Sequence, residues 1–349
     1  MHLVAGRLRP PVCEIEDTMP SRFNATSAYL AYLVGILSIA LATPLPARAQ
    51  EYPAKPIRFV IPFPPGGGTD ILSRALAQRI TEQSKWTFLL DNKPGAGGSI
   101  GIEQAARAAP DGYTIVMGQT SNLALNTTLN PKLAYDPLRD LQPVSMVASG
   151  PLMLVAASGW RLRDLSALLA DAKANPGKVM FGSPGNGTLG HLGGELFKAR
   201  AGIELQHVPY RGASPALIDV LGGRLDLYVS TVPAALGQIR GGKLKGVAVM
   251  GLQRHPDLPD VPTVAEAVSP GFEVSNWYGV LVPAATPASI VAQLNAEVVK
   301  ALDSAEVRDK LAAEGVAPRS STPDAMAAHI KAEIAKWAPV IKASGVTLE

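Results

Sequence analysis

The chain has 349 residues, and its 32 Lys and Arg residues against 29 Asp and Glu residues give a formal net charge of +3. This near-balance, without any basic run, argues against nucleic acid as a partner. Cys13 is the only cysteine of the sequence. Because it lies near the N-terminus, the rest of the chain has no disulfide, no thiolate nucleophile and no cysteine metal site.

The first 49 residues are predicted to be a cleavable export signal rather than part of the fold. Arg22 supplies a positive charge, residues 28–42 are apolar but too few to span a bilayer comfortably, and residues 47–49 read Ala-Arg-Ala, a small-x-small cleavage pattern. Met19 is an alternative start, and a membrane anchor is the alternative to cleavage. No later apolar run is long enough to span a membrane, so we expect no membrane insertion of the mature chain.

Beyond the signal, apolar runs alternate with segments of helical periodicity. Strands are predicted at 57–63, 86–90, 113–117, 144–156, 179–183, 205–208, 225–230, 244–250 and 277–282. Helices are predicted at 69–80, 99–108, 165–174, 188–201, 215–221, 234–239, 287–304 and 323–344. This alternation predicts an α/β fold in which parallel strands carry helices on both faces.

The length beyond the signal suits two domains better than one. The runs at 144–156 and 277–282 are apolar enough to cross from one domain to the other. We therefore predict two α/β lobes, with residues 50–155 and 277–349 in the first and residues 156–276 in the second. The last two predicted helices are expected to return to the first lobe. Two lobes that face each other across a cleft are typical of receptors that close about a hinge.

Three glycine-rich segments, at 62–70, 92–99 and 182–188, each follow a predicted strand and open a predicted helix. Such a turn exposes backbone N–H groups that, with the positive end of the helix dipole, can hold an anion without a charged side chain. Ligands of α/β sheets bind beyond the carboxyl ends of strands, where all three segments fall. They predict the capture of small anions, with an ordinary tight turn as the alternative. Thr69 or Asp70 is predicted to cap its helix.

Two nucleotide-binding motifs fit these glycine segments less well than anion capture does. Segment 62–70 lacks the Gly-Lys-Ser/Thr of a phosphate-binding Walker loop. Residues 185–190, GNGTLG, fit the pattern G-x-G-x-x-G, and Glu204 follows at about the distance of a ribose-binding acid, so dinucleotide binding by an oxidoreductase is an alternative. Glu204 would, however, lie at the start of the next strand, whereas the ribose contact comes from a strand end.

The sequence offers little for catalysis or metal binding. His191 and Glu195 lie four residues apart on a predicted helix, but neither a third ligand nor an H-E-x-x-H motif accompanies them, which favours a helix-surface pair. Arg211, at a predicted strand end, either faces the cleft or forms a salt contact in a turn. No G-x-S-x-G elbow and no local Ser-His-Asp set occurs. We expect no enzyme activity, no metal and no cofactor.

Short motifs along nearly the whole chain beyond the signal carry a resemblance to a known family. They are YPxKPIR at 52–58, PFPPGGxTD at 62–70, DNxPGAGG at 91–98, PDGYT at 110–114, PKLxYDP at 131–137, GNG at 185–187, HVPYxG at 207–212, LPDVPT at 258–263 and WYGVLVP at 277–283. In this order they resemble the Bug (TctC-like) family, the periplasmic solute receptors of tripartite tricarboxylate transporters.

The resemblance implies a two-lobed type II periplasmic binding fold, called a Venus flytrap, with two crossovers. It also implies a small organic carboxylate ligand held by loop backbone, hydroxyls and bridging waters. The expected partner is a two-subunit transporter of the inner membrane, and the expected state is a periplasmic monomer. A carboxylate sensor that engages a signalling partner is the alternative.

Carried over by position, the resemblance implies ligand contacts from both lobes. They are Phe63, Pro65, Gly66, Gly67, Thr69, Thr120 and Ser121 in the first lobe and Ser183, Asn186, Thr188 and Ser230 in the second. The family usually has an acidic residue where this chain has Ser230. A neutral serine at that position favours a different, more anionic ligand.

Overall fold

Ten strands and the helices between them make up residues 52–346, the part of the chain that the computed structural model describes. The predicted export signal lies outside the described residues. The strands are β1 Ile57–Ile61, β2 Phe88–Asn92, β3 Thr114–Gln119, β4 Leu141–Ala157, β5 Met180–Ser183, β6 Gln206–Pro209, β7 Leu227–Thr231, β8 Leu244–Val249, β9 Ser275–Pro283 and β10 Ala317–Pro318.

The helices, like the strands, are numbered in chain order. They are α1 Gly68–Ser84, α2 Ser99–Ala106, α3 Asn126–Leu129, α4 Leu165–Ala174, α5 Leu189–Ala201, α6 Ala213–Leu221, α7 Val232–Arg240, α8 Val264–Ala267, α9 Ala288–Asp303, α10 Ala305–Ala313 and α11 Pro323–Ser344. Within residues 52–346, no helix combines the length and the apolarity that crossing a membrane requires.

The first strands form a parallel sheet, as the alternation of strands and helices predicts. β1 pairs in parallel with β2 on one side and with β3 on the other. Successive side chains of a strand point to opposite faces. Phe59 therefore joins a core that contains Leu72 and Leu76 of α1, whereas Val60 joins a different core with Ile102 of α2. Helices thus cover both faces of the sheet that β1, β2 and β3 form, and this sheet with its helices is here called the first half.

A second set of strands repeats the arrangement. β5 pairs in parallel with β6 and β7, and the C-terminal part of β4 pairs antiparallel with β7 and β8. Leu154 of β4 lies in a core with Phe181 and Phe197, while its neighbour Met153 lies in another core with Tyr228. This second half is therefore also a sheet buried on both faces.

β4 and β9 connect the two halves. β4 pairs with β9 as far as Pro151 and then continues from Leu152 beside β7. β9 also pairs antiparallel with β3, so the strand order is β2-β1-β3-β9-β4-β7-β5-β6. β4 and β9 contain the segments predicted to cross between domains. The fold is thus the predicted α/β type with two crossing strands.

Several short helices appear where none is predicted. Residues 121–125 form a π-helical turn that continues into α3, and α8 and α10 are also additional. α10 follows α9 directly because Ser304 ends one helix and caps the next, accepting a hydrogen bond from the Val307 amide at 3.3 Å. The π-helical turn, α3 and α8 are too short or too uniformly buried to give a clear helical periodicity, whereas α10 does have two buried residues, Val307 and Leu311, at helical spacing.

The last helix, α11, does not simply return to the first half as expected. Met326 and Ile330 pack in a core of the first half, but Trp337 and Ile341 pack in the core that contains Phe181 of the second half. A helix of 22 residues is about 33 Å long and therefore reaches over both. The expectation is correct only for its N-terminal part.

Glu333 fixes the middle of α11 to the connecting strand β9. This carboxylate is 8% exposed, and its Oε2 accepts hydrogen bonds from the indole N–H groups of Trp277 and Trp337, both at 3.1 Å. Trp277 lies in β9. An unpaired buried donor costs about 1–3 kcal/mol, so the carboxylate stabilises this crossing of the two halves.

Candidate ligand-binding site

The three predicted glycine segments meet at one cleft of about 880 Å³, here called the wide cleft. They follow β1, β2 and β5, and parallel strands bring their carboxyl ends to one edge of a sheet. The lining comprises Phe63 and Pro64 from the first segment, residues 94–98 from the second, residues 184–186 from the third, and residues 130–132 and 210–212. The expected convergence of these segments is therefore present.

A smaller cavity of about 30 Å³ adjoins the wide cleft, since Phe63 and Pro184 line both; it is here called the polar cavity after the five polar residues among its eleven lining residues. Its polar lining consists of Gln119, Ser121, Thr188, Thr231 and Asn276, and none of its lining residues is charged. This volume holds about one or two water-sized molecules. Any larger ligand can enter only if the two halves move apart.

Gln119 organises the polar cavity from the end of β3. Its side-chain oxygen accepts hydrogen bonds from Thr69 Oγ1 at 3.1 Å and from Asn276 Nδ2 at 2.8 Å. Asn276 Oδ1 is buried and has no hydrogen-bond partner among residues 52–346. Buried polar atoms are nearly always paired, so this oxygen marks a place where a polar ligand group or a water can bind.

Helix α5 begins at the polar cavity. Its first-turn N–H groups have no acceptor within the helix. The Leu189 amide instead donates to the hydroxyl of Ser121 at 3.0 Å, and the His191 amide donates to Thr188 Oγ1 at 3.4 Å. Gly190 also lines the cavity, and a Cβ there would lie 2.8 Å from Pro184 Cδ. Only glycine permits this close approach.

Helix α1 begins close to the same cavity. Its first residue, Gly68, is buried so tightly that a Cβ would lie 2.8 Å from Thr231 Oγ1 and 2.7 Å from the Tyr278 hydroxyl. Thr231 belongs to the cavity lining. The start of α5 therefore lines the uncharged cavity, and the start of α1 lies behind the lining residue Thr231; the positive end of the α5 dipole favours an anion there.

The predicted cap of α1 by Thr69 or Asp70 is wrong. Gly67 is the N-cap and no side chain caps it, while Asp70 lies within the first turn. Its carboxylate reaches back to accept the Gly66 amide at 3.0 Å, and it pairs with Arg74 at 2.8 Å. Burial raises the pKa of Asp70, but the hydrogen bonds from Arg74, Asn92 and Gly66 outweigh burial and lower it. The negative charge of Asp70 is thus balanced by Arg74, and the Gly66 amide already donates to its carboxylate.

Four of the predicted contact residues line the two spaces. Phe63 lines both, Asn186 lines the wide cleft, and Ser121 and Thr188 line the polar cavity. Thr69 lies just behind, bonded to Gln119. These residues come from both halves of the molecule and are brought together as expected.

Three further predicted residues form a contact between the halves. The Pro65 carbonyl accepts a hydrogen bond from Ser214 Oγ at 2.7 Å, at the start of α6. A Cβ at Gly66 would lie 3.1 Å from the same hydroxyl, and one at Gly67 would lie 3.7 Å from the Ala213 side chain. Pro65, Gly66 and Gly67 thus contact the second half directly and line neither the wide cleft nor the polar cavity.

The structure does not bring Thr120, Ser183 or Ser230 to the lining. Thr120 is buried and accepts the Trp277 amide at 3.1 Å, while Ser183 holds the turn that follows it through Gly185. Ser230 is buried and donates to its neighbour's carbonyl at 2.8 Å. Because alternate strand residues face opposite sides, Thr231 instead lies at the cavity.

Two polar lining residues escape sequence reasoning. Thr231 and Asn276 complete the polar cavity beside Gln119, but they come from β7 and β9, which are far apart in the sequence. The alternation along β7 could have indicated Thr231 rather than its neighbour. Arg211 does line the wide cleft, one of its two predicted positions.

The predicted helix-surface pair of His191 and Glu195 is wrong. His191 is 8% exposed, and its ring stacks on that of His207 with centroids 3.8 Å apart. Its Nδ1 accepts the Gly187 amide at 3.2 Å, whereas Glu195 pairs with Lys198 at 2.8 Å. The start of α5 packs against β6, so this part of the helix has no solvent face.

The same histidine pair supports the glycine turn between β5 and α5. His207 Nε2 lies 2.7 Å from Ser183 Oγ, a contact that no local motif indicates. Burial and the neighbouring His191 lower the pKa of His207 to about 3, and burial also lowers the pKa of His191. An effective general base has a pKa near the working pH, so His207 is poorly suited to activate the buried Ser183.

We predict that the free energy of unfolding falls as the pH is lowered below about 6.5, where histidine in an unfolded chain begins to bind protons. Folded His207 stays neutral down to a pKa of about 3, so the unfolded state binds more protons throughout this window. In His207→Asn the free energy of unfolding should fall less steeply with pH, by up to about 1 kcal/mol per pH unit. Urea unfolding of the wild-type protein and the variant at several pH values measures this dependence. Equal slopes of the unfolding free energy against pH would contradict the prediction.

Comparison with known proteins gives a family match over most of the chain. The family model described as "Tripartite tricarboxylate transporter family receptor" (TctC) matches residues 72–346. BugT of Bordetella pertussis is 39% identical over 321 residues, which is 92% of this chain and 98% of BugT.

Solved structures share the fold. Rpa4515 of R. palustris, solved with adipate, is 35% identical with a TM-score of 0.82, and the match covers 85% of this chain and 99% of that one. MatC (Rpa3494) of Rhodopseudomonas palustris, solved with bound malate, is 32% identical with a TM-score of 0.78, covering 83% of this chain and 100% of that one. With the family match and the similarity to BugT, these findings mean that the chain belongs to the TctC family of periplasmic solute receptors, which includes the Bug proteins.

Proposed function

We propose that this protein captures a small organic carboxylate between two lobes, residues 50–155 with 277–349 and residues 156–276, and delivers it to a two-subunit transporter of the inner membrane. The observation that carries the proposal is the uncharged polar cavity lined by the start of α5. Adipate and malate, bound by Rpa4515 and MatC, are both carboxylates, which supports this ligand class.

Main-chain amides and hydroxyls supply the donors for a carboxylate. Gly190 lines the polar cavity, and its amide belongs to the first turn of α5, where helices leave N–H groups unpaired. Ser121 and Thr231, which carry hydroxyls, line the same cavity. Three hydrogen bonds to a charged oxygen contribute roughly 5–9 kcal/mol, comparable with the ~8 kcal/mol of micromolar binding.

Binding requires the two lobes to separate and close again. The bonds from the Leu189 amide to Ser121 and from Ser214 to the Pro65 carbonyl join the halves across the site. Together with the small volume of the polar cavity, they describe a closed arrangement. Bending of β4 and β9 near Pro151, where their pairing ends, would open it.

The remaining expectations belong to the same proposal. The predicted signal at residues 1–49 would export the chain to the periplasm, where it would act as a monomer. The protein would not turn over its ligand, and the low pKa of His207 supports this. A carboxylate sensor remains the second candidate; a pull-down that recovers a signalling protein instead of transporter subunits would favour it.

We predict that a carboxylate raises the midpoint of thermal unfolding. A ligand at a hundred times its Kd stabilises a protein by about 2.7 kcal/mol. A screen of mono-, di- and tricarboxylates, with NAD as the control for dinucleotide binding, measures the shift. A shift with NAD and none with any carboxylate would contradict the proposed function.

We predict that Ser121→Ala weakens carboxylate binding about tenfold or more, since it removes a donor and the Leu189 contact that closes the lobes. Ser145→Ala is a matched control, because Ser145 is also buried and accepts one amide, that of Ser321, away from the cavity. Both variants should lose similar stability. Calorimetry that gives the same Kd for both variants would argue against a ligand in the polar cavity.

A further inference from the structure

The third glycine segment, residues 182–188, depends on contacts from outside it. Gly185 and Gly187 have φ angles of +144° and +71°, and glycine loses more conformational freedom on folding than any other residue type. If this turn were free to move, the start of α5 would move with it. The position of that start matters under the proposed function, because Thr188 and Gly190 line the polar cavity.

His207 of β6 holds the beginning of the turn through Ser183. The ring Nε2 lies 2.7 Å from Ser183 Oγ, and the same hydroxyl accepts the Gly185 amide at 3.2 Å. The Gly185 carbonyl in turn accepts a hydrogen bond from Thr188 Oγ1 at 2.7 Å. A continuous chain of polar contacts therefore leads from the His207 ring to Thr188, the N-cap of α5.

His191 holds the end of the same turn directly. Its Nδ1 accepts the Gly187 amide at 3.2 Å, while its own amide donates to Thr188 Oγ1 at 3.4 Å. Nδ1 can accept a hydrogen bond only when it carries no proton, and burial lowers the pKa of His191, which favours that state. His191 therefore joins the turn to the first turn of α5.

The stacking of the two rings joins these two supports. Their planes lie 6° from parallel, and Phe181 of β5 packs against His207 with ring centroids 4.9 Å apart. Two phenylalanine rings could fill the same space, so packing alone does not account for the ring nitrogens. Within residues 52–346, the hydrogen-bond partners of both rings belong to the third glycine segment.

We propose that His191 and His207 are positioning residues that set the affinity for a carboxylate, because they hold the third glycine segment and with it the Gly190 amide at the polar cavity. The inference rests on the proposed function, since it takes the carboxylate to bind at the start of α5. The turn and Gly190 are in close steric contact, because a Cβ at Gly190 would lie 2.8 Å from Pro184 Cδ.

Paired substitutions at His191 separate the ring nitrogen from the ring. His191→Phe keeps a stacked ring but removes the acceptor for Gly187, whereas His191→Asn places an amide oxygen close to the position of Nδ1. His191→Phe should weaken binding of succinate, malate and adipate, measured by calorimetry, roughly three- to tenfold. His191→Asn should change the same Kd values less than twofold.

The other end of the turn offers the same comparison. His207→Phe removes the nitrogen that contacts Ser183, and His207→Gln places an amide group close to the position of Nε2. We expect the Phe variant to bind less tightly than the Gln variant. Far-UV circular dichroism checks that each variant folds, and this second pair keeps the test decisive if one variant at His191 does not.

Thr263→Val is a matched control for loss of stability. Thr263 is fully buried, and its hydroxyl accepts the Glu266 amide at 2.9 Å at the start of α8, but it lines neither the wide cleft nor the polar cavity. This variant should lose a similar part of its free energy of unfolding and keep the wild-type Kd. Hydrogen–deuterium exchange of residues 184–192 in the ligand-free protein should be faster in His191→Phe, but not in His191→Asn or Thr263→Val.

The outcomes separate the positioning role from the proposed function. Weaker binding in the two Phe variants, with rescue by Asn and Gln and no change in Thr263→Val, supports the positioning role. If the Phe variants are less stable but bind with the wild-type Kd, or if Asn and Gln bind as weakly as Phe, the positioning role is overturned and the carboxylate receptor stands. If the wild-type protein binds no carboxylate, both are overturned.

Discussion

The hydrogen bond from the Leu189 amide to the Ser121 hydroxyl meets a need that every buried helix start has. First-turn amides have no acceptor within their own helix, so a buried helix start must find acceptors elsewhere. Here the acceptor for α5 comes from the opposite half of the molecule. The neighbouring Gly190 amide, in the same first turn, lines the polar cavity, so under the proposed function closure and ligand binding would both depend on the start of α5.

The distribution of charge follows from this arrangement. Asp70 lies in the first turn of α1, yet Arg74 and Asn92 hold its carboxylate, so its charge is compensated locally. The polar cavity contains no charged side chain, and the wide cleft contains only positive ones, Lys132 and Arg211. Neutral donors in the interior allow a carboxylate to bind without an unpaired buried cation when the ligand leaves.

Much of the fold can be read from the sequence because alternating strands and helices, and the glycine segments between them, are local signals. The crossing strands are also local, since β4 and β9 are long apolar runs. The packing of the last helix is not a local signal, because its 22 residues reach two cores that only the tertiary structure defines.

The site is less predictable than the fold, for reasons that particular residues make plain. His191 has the spacing of a surface helix residue, but His207 of β6 packs on it and buries it. Ser230 and Thr231 differ only in which face of β7 they occupy. Gln119 and Asn276 share a hydrogen bond over 157 positions, and no single-sequence pattern reports such a contact.

A crystal structure of the protein with a bound carboxylate would test most directly whether uncharged donors form the hydrogen bonds to the ligand. We predict one carboxylate within hydrogen-bonding distance of the Gly190 amide and the Ser121 hydroxyl. A ligand whose carboxylates are held only by arginine or lysine side chains, or one bound outside both spaces, would contradict this.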